Sequence, residues 1–182
     1  LHEIHEIEQI DPQVIGTLLQ RLKEGFDAVV IDTSKGLHVT DLAAMRAADT
    51  ILLVVQLDVL CLRSSLRLLR LLHGLDGLGA KVRLVLNRVG SNLSDLRRKK
   101  VEETLELPVS WEIPNAFRAF SAARLRGETL RSEHGGTVVL KAFDEMARAL
   151  TPAAPALLPT SEPGRPAGWW PRRGRRRACV AP

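Results

Sequence analysis

Three short stretches of this chain put polar side chains directly behind apolar runs. In Phe26-Asp27-Ala28-Val29-Val30-Ile31-Asp32-Thr33-Ser34-Lys35-Gly36, a carboxylate ends a β-branched run and a glycine follows. Val82 to Leu86 stops at Asn87-Arg88, and Leu107 to Ile113 stops at Pro114-Asn115. Open α/β sheets collect ligands beyond the carboxyl ends of their strands, which is where Asp32 falls. Capping the following turn is the other reading of Asp32, since Asp does this often. On the residues alone both stay open. His2-Glu3-Ile4-His5-Glu6 invites a metal, but a zincin helix needs its histidines four apart and these are three apart, so an ordinary polar lead-in is the better reading.

The elements that must position these residues alternate. Asp11-Pro12 suits a helix start, with Asp as N-cap and Pro in the first turn, and Val14, Ile15, Leu18, Leu19 and Leu22 recur at helical spacing up to Gly25. This helix over 12–24 feeds a strand over 27–32, whose short apolar run fits burial on both faces. Thr40-Asp41 can cap a second helix, and Ile51 to Gln56 reads as a second buried strand. A long helix over 60–72 follows, with Arg63, Arg67 and Arg70 at spacings of four and three, hence on one stripe. That stripe is either a solvated face or a surface for an acidic partner or phosphate.

A third strand over 82–86 leads to a charged helix from Ser94 or Asp95 that mixes Arg97-Arg98-Lys99-Lys100 with Glu102-Glu103. The fourth strand, 107–113, carries Pro108 at its start, where a missing N–H is tolerated. Helices near 116–126 and 137–150 complete the body. Strand and helix alternating over four units predict a mostly parallel, three-layer α/β fold, a sheet flanked by helices. Gly77 and Gly79 precede a strand, whereas a dinucleotide-binding fingerprint must follow one.

Two domains are expected, an α/β body over 1–150 and a disordered basic tail over 151–182. The tail holds seven of ten prolines, Trp169-Trp170 and six arginines against one acid, so it supplies the whole net charge of +5 while the body is neutral. Net charge therefore does not make the body a nucleic-acid binder. The tail itself suits an anionic membrane or nucleic acid, or is a poorly defined chain end with no role. Apolar runs fall short of a membrane span, and the start lacks the pattern of a signal peptide. Cys61 and Cys179 lie too far apart for a disulfide framework and point to a reducing cytoplasm. Beginning at Leu1 rather than Met suggests a fragment or a processed product.

Taken in order, FDAVVIDTSKG, AADTILLVVQLDVLCLRSSLRLLRLL, VRLVLNRVG and VSWEIPNAFRAFSAARLRGETL resemble the later part of MinD/ParA-like P-loop ATPases, and most nearly the CpaE/TadZ group of Flp/Tad pilus assembly. The resemblance implies a P-loop NTPase-like fold that lacks its N-terminal P-loop strand. It implies that Asp32 is the Walker B acid that holds Mg²⁺ through water, and that Gly36 is the switch-loop glycine facing the γ-phosphate. Asn87, with Arg88 in the NR motif, would meet the adenine edge, and Pro114, with Asn115 in the IPN motif, would cover the base. ATP and Mg²⁺ are the implied cofactors of the intact parent, which would be a homodimer working with pilus-assembly or polar-localisation proteins. The place of action would be cytoplasmic, at the periphery of the inner membrane.

One departure is large. The family's glycine-lysine phosphate loop has no counterpart here, because Ser34-Lys35-Gly36 and Gly77 to Lys81 lack its sequence and its strand-to-helix placement. This chain alone is therefore expected neither to bind ATP tightly nor to hydrolyse it. The missing strand would lie between 27–32 and 51–56, which leaves either a gap or two strands closed on each other. A piece of a longer protein is favoured over a degenerate member that works without nucleotide. Two other functions compete: a nucleotide-independent scaffold using the arginine stripe and the tail, and, ranked lower, a ParA-like DNA-partitioning component.

Overall fold

The computed structural model describes residues 11–34, 37–75, 77–90, 97–133, 137–151 and 178–181. They form two compact units, one drawn from the chain up to Ala48 and from Thr151 onward, the other from Asp49–Leu150. Among the described residues no helix is long and apolar enough to cross a membrane.

In the first unit, α1 (Pro12–Gly25) starts as the sequence predicts, with the Asp11 carboxylate accepting from the Gln13 N–H at 2.8 Å. It packs on α2 (Val39–Ala47) through buried Leu19, Ala44 and Met45. Lys23 Nζ donates to the Ala47 carbonyl at 2.8 Å, which satisfies one of the acceptors a helix C-terminus leaves open. Strand β1 (Ala28–Ile31) pairs in parallel with β5 (Ala178–Ala181), from Ala28 opposite Ala178 to Ile31 opposite Ala181. This corrects the expectation of a tail without regular structure at those four residues; residues 152–177 and 182 lie outside the described residues. A four-residue apolar run is short enough for its Arg-rich and Pro-rich surroundings to hide it, yet long enough to satisfy a neighbouring strand's backbone. Val30 is 52% exposed, so β1 is not covered on both faces by the described residues.

The second unit is a parallel sheet in the order β2-β3-β4, built from β2 (Ile51–Gln56), β3 (Val82–Val89) and β4 (Val109–Pro114). Alternation sorts its side chains onto two faces. Leu53 and Val55 stand opposite Leu84 and Leu86 on one face, and all four are buried. Helix α3 (Val59–His73) lies against β2 there, turning Leu62, Ser65, Leu69 and Leu72 inward. After a one-turn α4 (Leu78–Lys81) and β3 comes α5 (Arg98–Leu105), which packs on α3 and buries Val101 and Leu105. The other face gathers Val85, Ile113 and Val139 with Leu52, Trp111, Phe143 and Met146 around them. Val139, Phe143 and Met146 belong to α8 (Val138–Leu150), which covers β4 after α6 (Phe117–Arg126) and the short α7 (Leu130–Glu133). Helices on both sides of a parallel sheet give the three-layer α/β arrangement expected.

Boundaries shift where tertiary pairing extends an element. Strand β3 continues through Asn87-Arg88 to Val89, and β4 takes in Pro114 while leaving Pro108 outside. The expected helix start at Ser94 or Asp95 lies outside the described residues. Val54, at 54% exposure, shows β2 buried on one face only, where a fully buried strand was expected. The described sheets pair β1 with β5 and β2 with β3, so the closing of β1 onto β2 is not what these strands do.

Candidate functional site

The first part of the site grows from the end of β1. Asp32 is the residue after the strand and is exposed to solvent. The segment behind it is held by Asp41 in the first turn of α2, a buried carboxylate. Asp41 accepts from the Ser34 hydroxyl at 2.8 Å, from the His38 N–H at 2.9 Å and from the Ser34 N–H at 3.3 Å. Ser34 and His38 flank Lys35-Gly36 in sequence, so one carboxylate fixes both approaches to that pair. Gly36 itself lies outside the described residues. Sequence reasoning saw Asp41 only as a helix cap; its reach back to Ser34 needs the fold to be seen.

Burial alone would raise the Asp41 pKa, but the hydrogen bonds from His38 and Ser34 outweigh it and hold the carboxyl below its ordinary value. A group whose folded pKa is depressed stabilises above its unfolded pKa and loses that contribution as pH falls through the folded value. The clamp is therefore intact at neutral pH and released only below about pH 4. Asp41→Asn puts an amide N–H where donors already point. We expect it to cost the first unit about 1–3 kcal/mol at neutral pH. It should also flatten the acid limb of the stability curve and speed hydrogen exchange at the Ser34 and His38 amides. An unchanged acid limb would show that the clamp adds nothing.

The second part lies at the carboxyl edge of β3 and β4. Gln56 stands opposite Asn87, and Asn87 opposite Ile113. Between Asn87 and Val89 the register slips, and Arg88 takes φ 58°, a left-handed conformation rare outside glycine. This is a bulge, with Arg88 the extra residue; bulges re-aim neighbouring side chains. The conformation costs on the order of 1 kcal/mol and persists because its surroundings hold it. The Arg88 N–H donates to Asn87 Oδ1 at 2.9 Å, and the Asn115 N–H donates to the Val89 carbonyl at 2.9 Å. Asn87, Arg88, Pro114 and Asn115, read from separate stretches of sequence, thus meet on one edge. Asp32 belongs to the other unit. Gln56, at the end of the neighbouring strand, joins this edge and was not anticipated; the polar end of an apolar run was its only signal.

From behind, α5 secures the edge. Arg98 ion-pairs with Glu102 at 3.1 Å and with Glu112 of β4 at 3.0 Å, and Glu102 accepts from the Val109 N–H at 2.9 Å. The Val109 N–H and then Arg98 keep the Glu102 carboxyl below its usual range. Among the described residues, no group of three or more His, Cys, Asp or Glu side chains is placed to hold a metal ion.

No family model matches the chain. Over 113 residues it is 24% identical to an uncharacterized ATP-binding protein of Methanocaldococcus jannaschii, which covers 61% of this chain and 41% of that protein. A ParA family ATPase from Chlorobium tepidum superposes with a TM-score of 0.72 at 19% identity, over 79% of this chain and 58% of that one. The cell division ATPase MinD of Pyrococcus furiosus gives 0.63 at 26%, over 79% and 60%. MinD of Pyrococcus horikoshii complexed with Mg-ADP gives 0.62 at 21%, over 76% and 56%. The chain therefore has the P-loop NTPase-like fold of the MinD and ParA ATPases. It spans less than two thirds of the length of each of these proteins.

Proposed function

We propose that this chain is the C-terminal portion of a MinD/ParA-type ATPase, and more narrowly of the CpaE/TadZ kind that serves Flp/Tad pilus assembly or polar localisation. The observation that supports it best is the edge formed by Asn87, Arg88, Pro114 and Asn115 at the carboxyl ends of β3 and β4. In this reading Asp32 holds Mg²⁺ through water, Gly36 approaches the γ-phosphate, Asn87 reads the adenine edge beside Arg88, and Pro114 with Asn115 covers the base. When bound, MgATP supplies a transferable phosphoryl group; the chain's own residues orient the base and the metal's water shell.

The donor set fits half of that ligand. An exposed carboxylate suits Mg²⁺, which keeps most of its waters and takes few protein oxygens. Asn87 spends Oδ1 on the Arg88 N–H, and its amide N–H groups remain available to a base. The phosphate grip does not fit, because the sequence holds no glycine-lysine loop. On this reading the grip is supplied by sequence upstream, and the parent is a homodimer acting in the cytoplasm at the periphery of the inner membrane. The basic tail is proposed as a contact to anionic lipid.

Thermal unfolding with and without MgATP tests the reading. This chain should show no shift, whereas the natural protein extended upstream through a glycine-lysine loop should be stabilised. A shift in the chain as it stands would sink the missing-grip claim. An upstream sequence without such a loop would sink the ATPase reading.

A further inference from the structure

Helix α3 carries a surface that the nucleotide reading does not use. Its inward side is Leu62, Ser65, Leu69 and Leu72. Its outward side carries Arg63, Arg67 and Arg70, all exposed, beside Leu60 at 71% and Leu71 at 48% exposure. At 100° per residue, the arginines form one row and Leu60, Ser64 and Leu71 the adjacent row.

A solvated helix face normally carries its own counter-charges, and α5 of this chain does. Arg98 pairs with Glu102 and Lys100 with Glu103 along that helix. From Val59 to His73, by contrast, α3 contains no Asp or Glu. Among the described residues, no ion pair or hydrogen bond engages the side chains of Arg63, Arg67 or Arg70. All three are arginine rather than lysine, the side chain whose planar fork matches a carboxylate with two hydrogen bonds.

We infer that the outward face of α3 is a docking surface for an acidic amphipathic helix of a partner protein. Carboxylates spaced four and three apart would meet the arginine row, and an apolar row would cover Leu60 and Leu71. The leucines decide against the other polyanions. They lie about 16 Å apart along the axis with Arg67 between them, which is no continuous wedge for a bilayer. Against a phosphate backbone, exposed leucines gain nothing.

The test uses the whole chain and a 15-residue helical peptide with Glu at positions 4, 8 and 11 and Leu at 1 and 12, read by fluorescence anisotropy at low salt. Its Glu→Lys counterpart, a DNA duplex and phosphatidylserine vesicles are run beside it. The Glu peptide should bind, and the triple variant Arg63→Glu, Arg67→Glu, Arg70→Glu should weaken it by about tenfold or more. Leu60→Ala with Leu71→Ala should weaken it too, and the Lys peptide should not bind. Should the triple variant lose its helical signal, the Arg→Gln triple replaces it with the same expectation. Equal binding by the charge variant overturns the proposal. So does no binding of the Glu peptide, or tighter binding of duplex or vesicles through the same arginines.

Discussion

Leu86→Ala is expected to remove about 2–5 kcal/mol from the second unit, enough to leave it largely unfolded if its stability is of the ordinary size. Leu86 has no exposed surface and stands opposite Val55, which also has none, in the middle strand of the sheet. Its neighbours two residues before, Leu84 and Val82, are equally sealed. The cavity left by truncation has walls on every side and cannot collapse without moving a strand. Denaturant midpoints measure the loss, and two comparisons make it specific. Leu86→Met conserves volume and should cost less than about 1.5 kcal/mol. Val54→Ala removes a side chain already 54% exposed, on the neighbouring strand, and should cost well under half of the Leu86→Ala value. If Leu86→Ala and Val54→Ala cost the same, the facing of this sheet has been assigned backwards.

That facing was only partly readable from the residues. The runs Ala28 to Ile31 and Ile51 to Gln56 state that strands form, because β-branched apolar stretches ending in polar residues have few other uses. They also imply cover on two faces. Val30 and Val54 show that the described residues supply less cover than that. Propensity reports the environment a strand is suited to, not whether the covering elements are present. Asp11-Pro12 and Asp58 were the opposite case: the Asp58 carboxylate accepts from the Leu60 and Cys61 N–H groups, and capping is chemistry that a few adjacent residues decide.

The site was legible in its parts and not in its joints. Asn87-Arg88 and Pro114-Asn115 each looked like a strand end. Their meeting depends on a register slip at an arginine with positive φ, and no residue type there announces it. Asp41 looked local and proved to span seven residues to Ser34. The strand at Ala178–Ala181 was hidden by its setting. Its pairing with β1 is long-range, and long-range pairing overrides composition whenever an edge offers unsatisfied N–H and C=O groups.

In the natural protein extended upstream through a phosphate loop, MgATP at a hundred times its dissociation constant should add about 2.7 kcal/mol of stability, and Asp32→Asn should separate binding from turnover. An asparagine keeps the size of Asp32 and one acceptor but removes the negative charge. Nucleotide affinity rests mainly on the phosphate loop's backbone N–H groups and lysine, so the thermal gain should survive largely intact. Hydrolysis needs the metal and its waters ordered around developing charge, and loss of one fixed electrostatic partner there typically costs roughly 10²–10³ in rate. Single-turnover hydrolysis beside the thermal shift reads the two effects apart. If Asp32→Asn hydrolyses at the parent's rate, Asp32 is a turn cap after β1, the alternative its residue type always allowed. If the thermal gain disappears with the rate, Asp32 contributes to holding the nucleotide rather than to ordering its metal. Asn87→Ala then tests the other edge independently: it should weaken ATP relative to GTP by about tenfold and leave the hydrolysis rate at saturation unchanged, because the base lies away from the phosphoryl group in transfer.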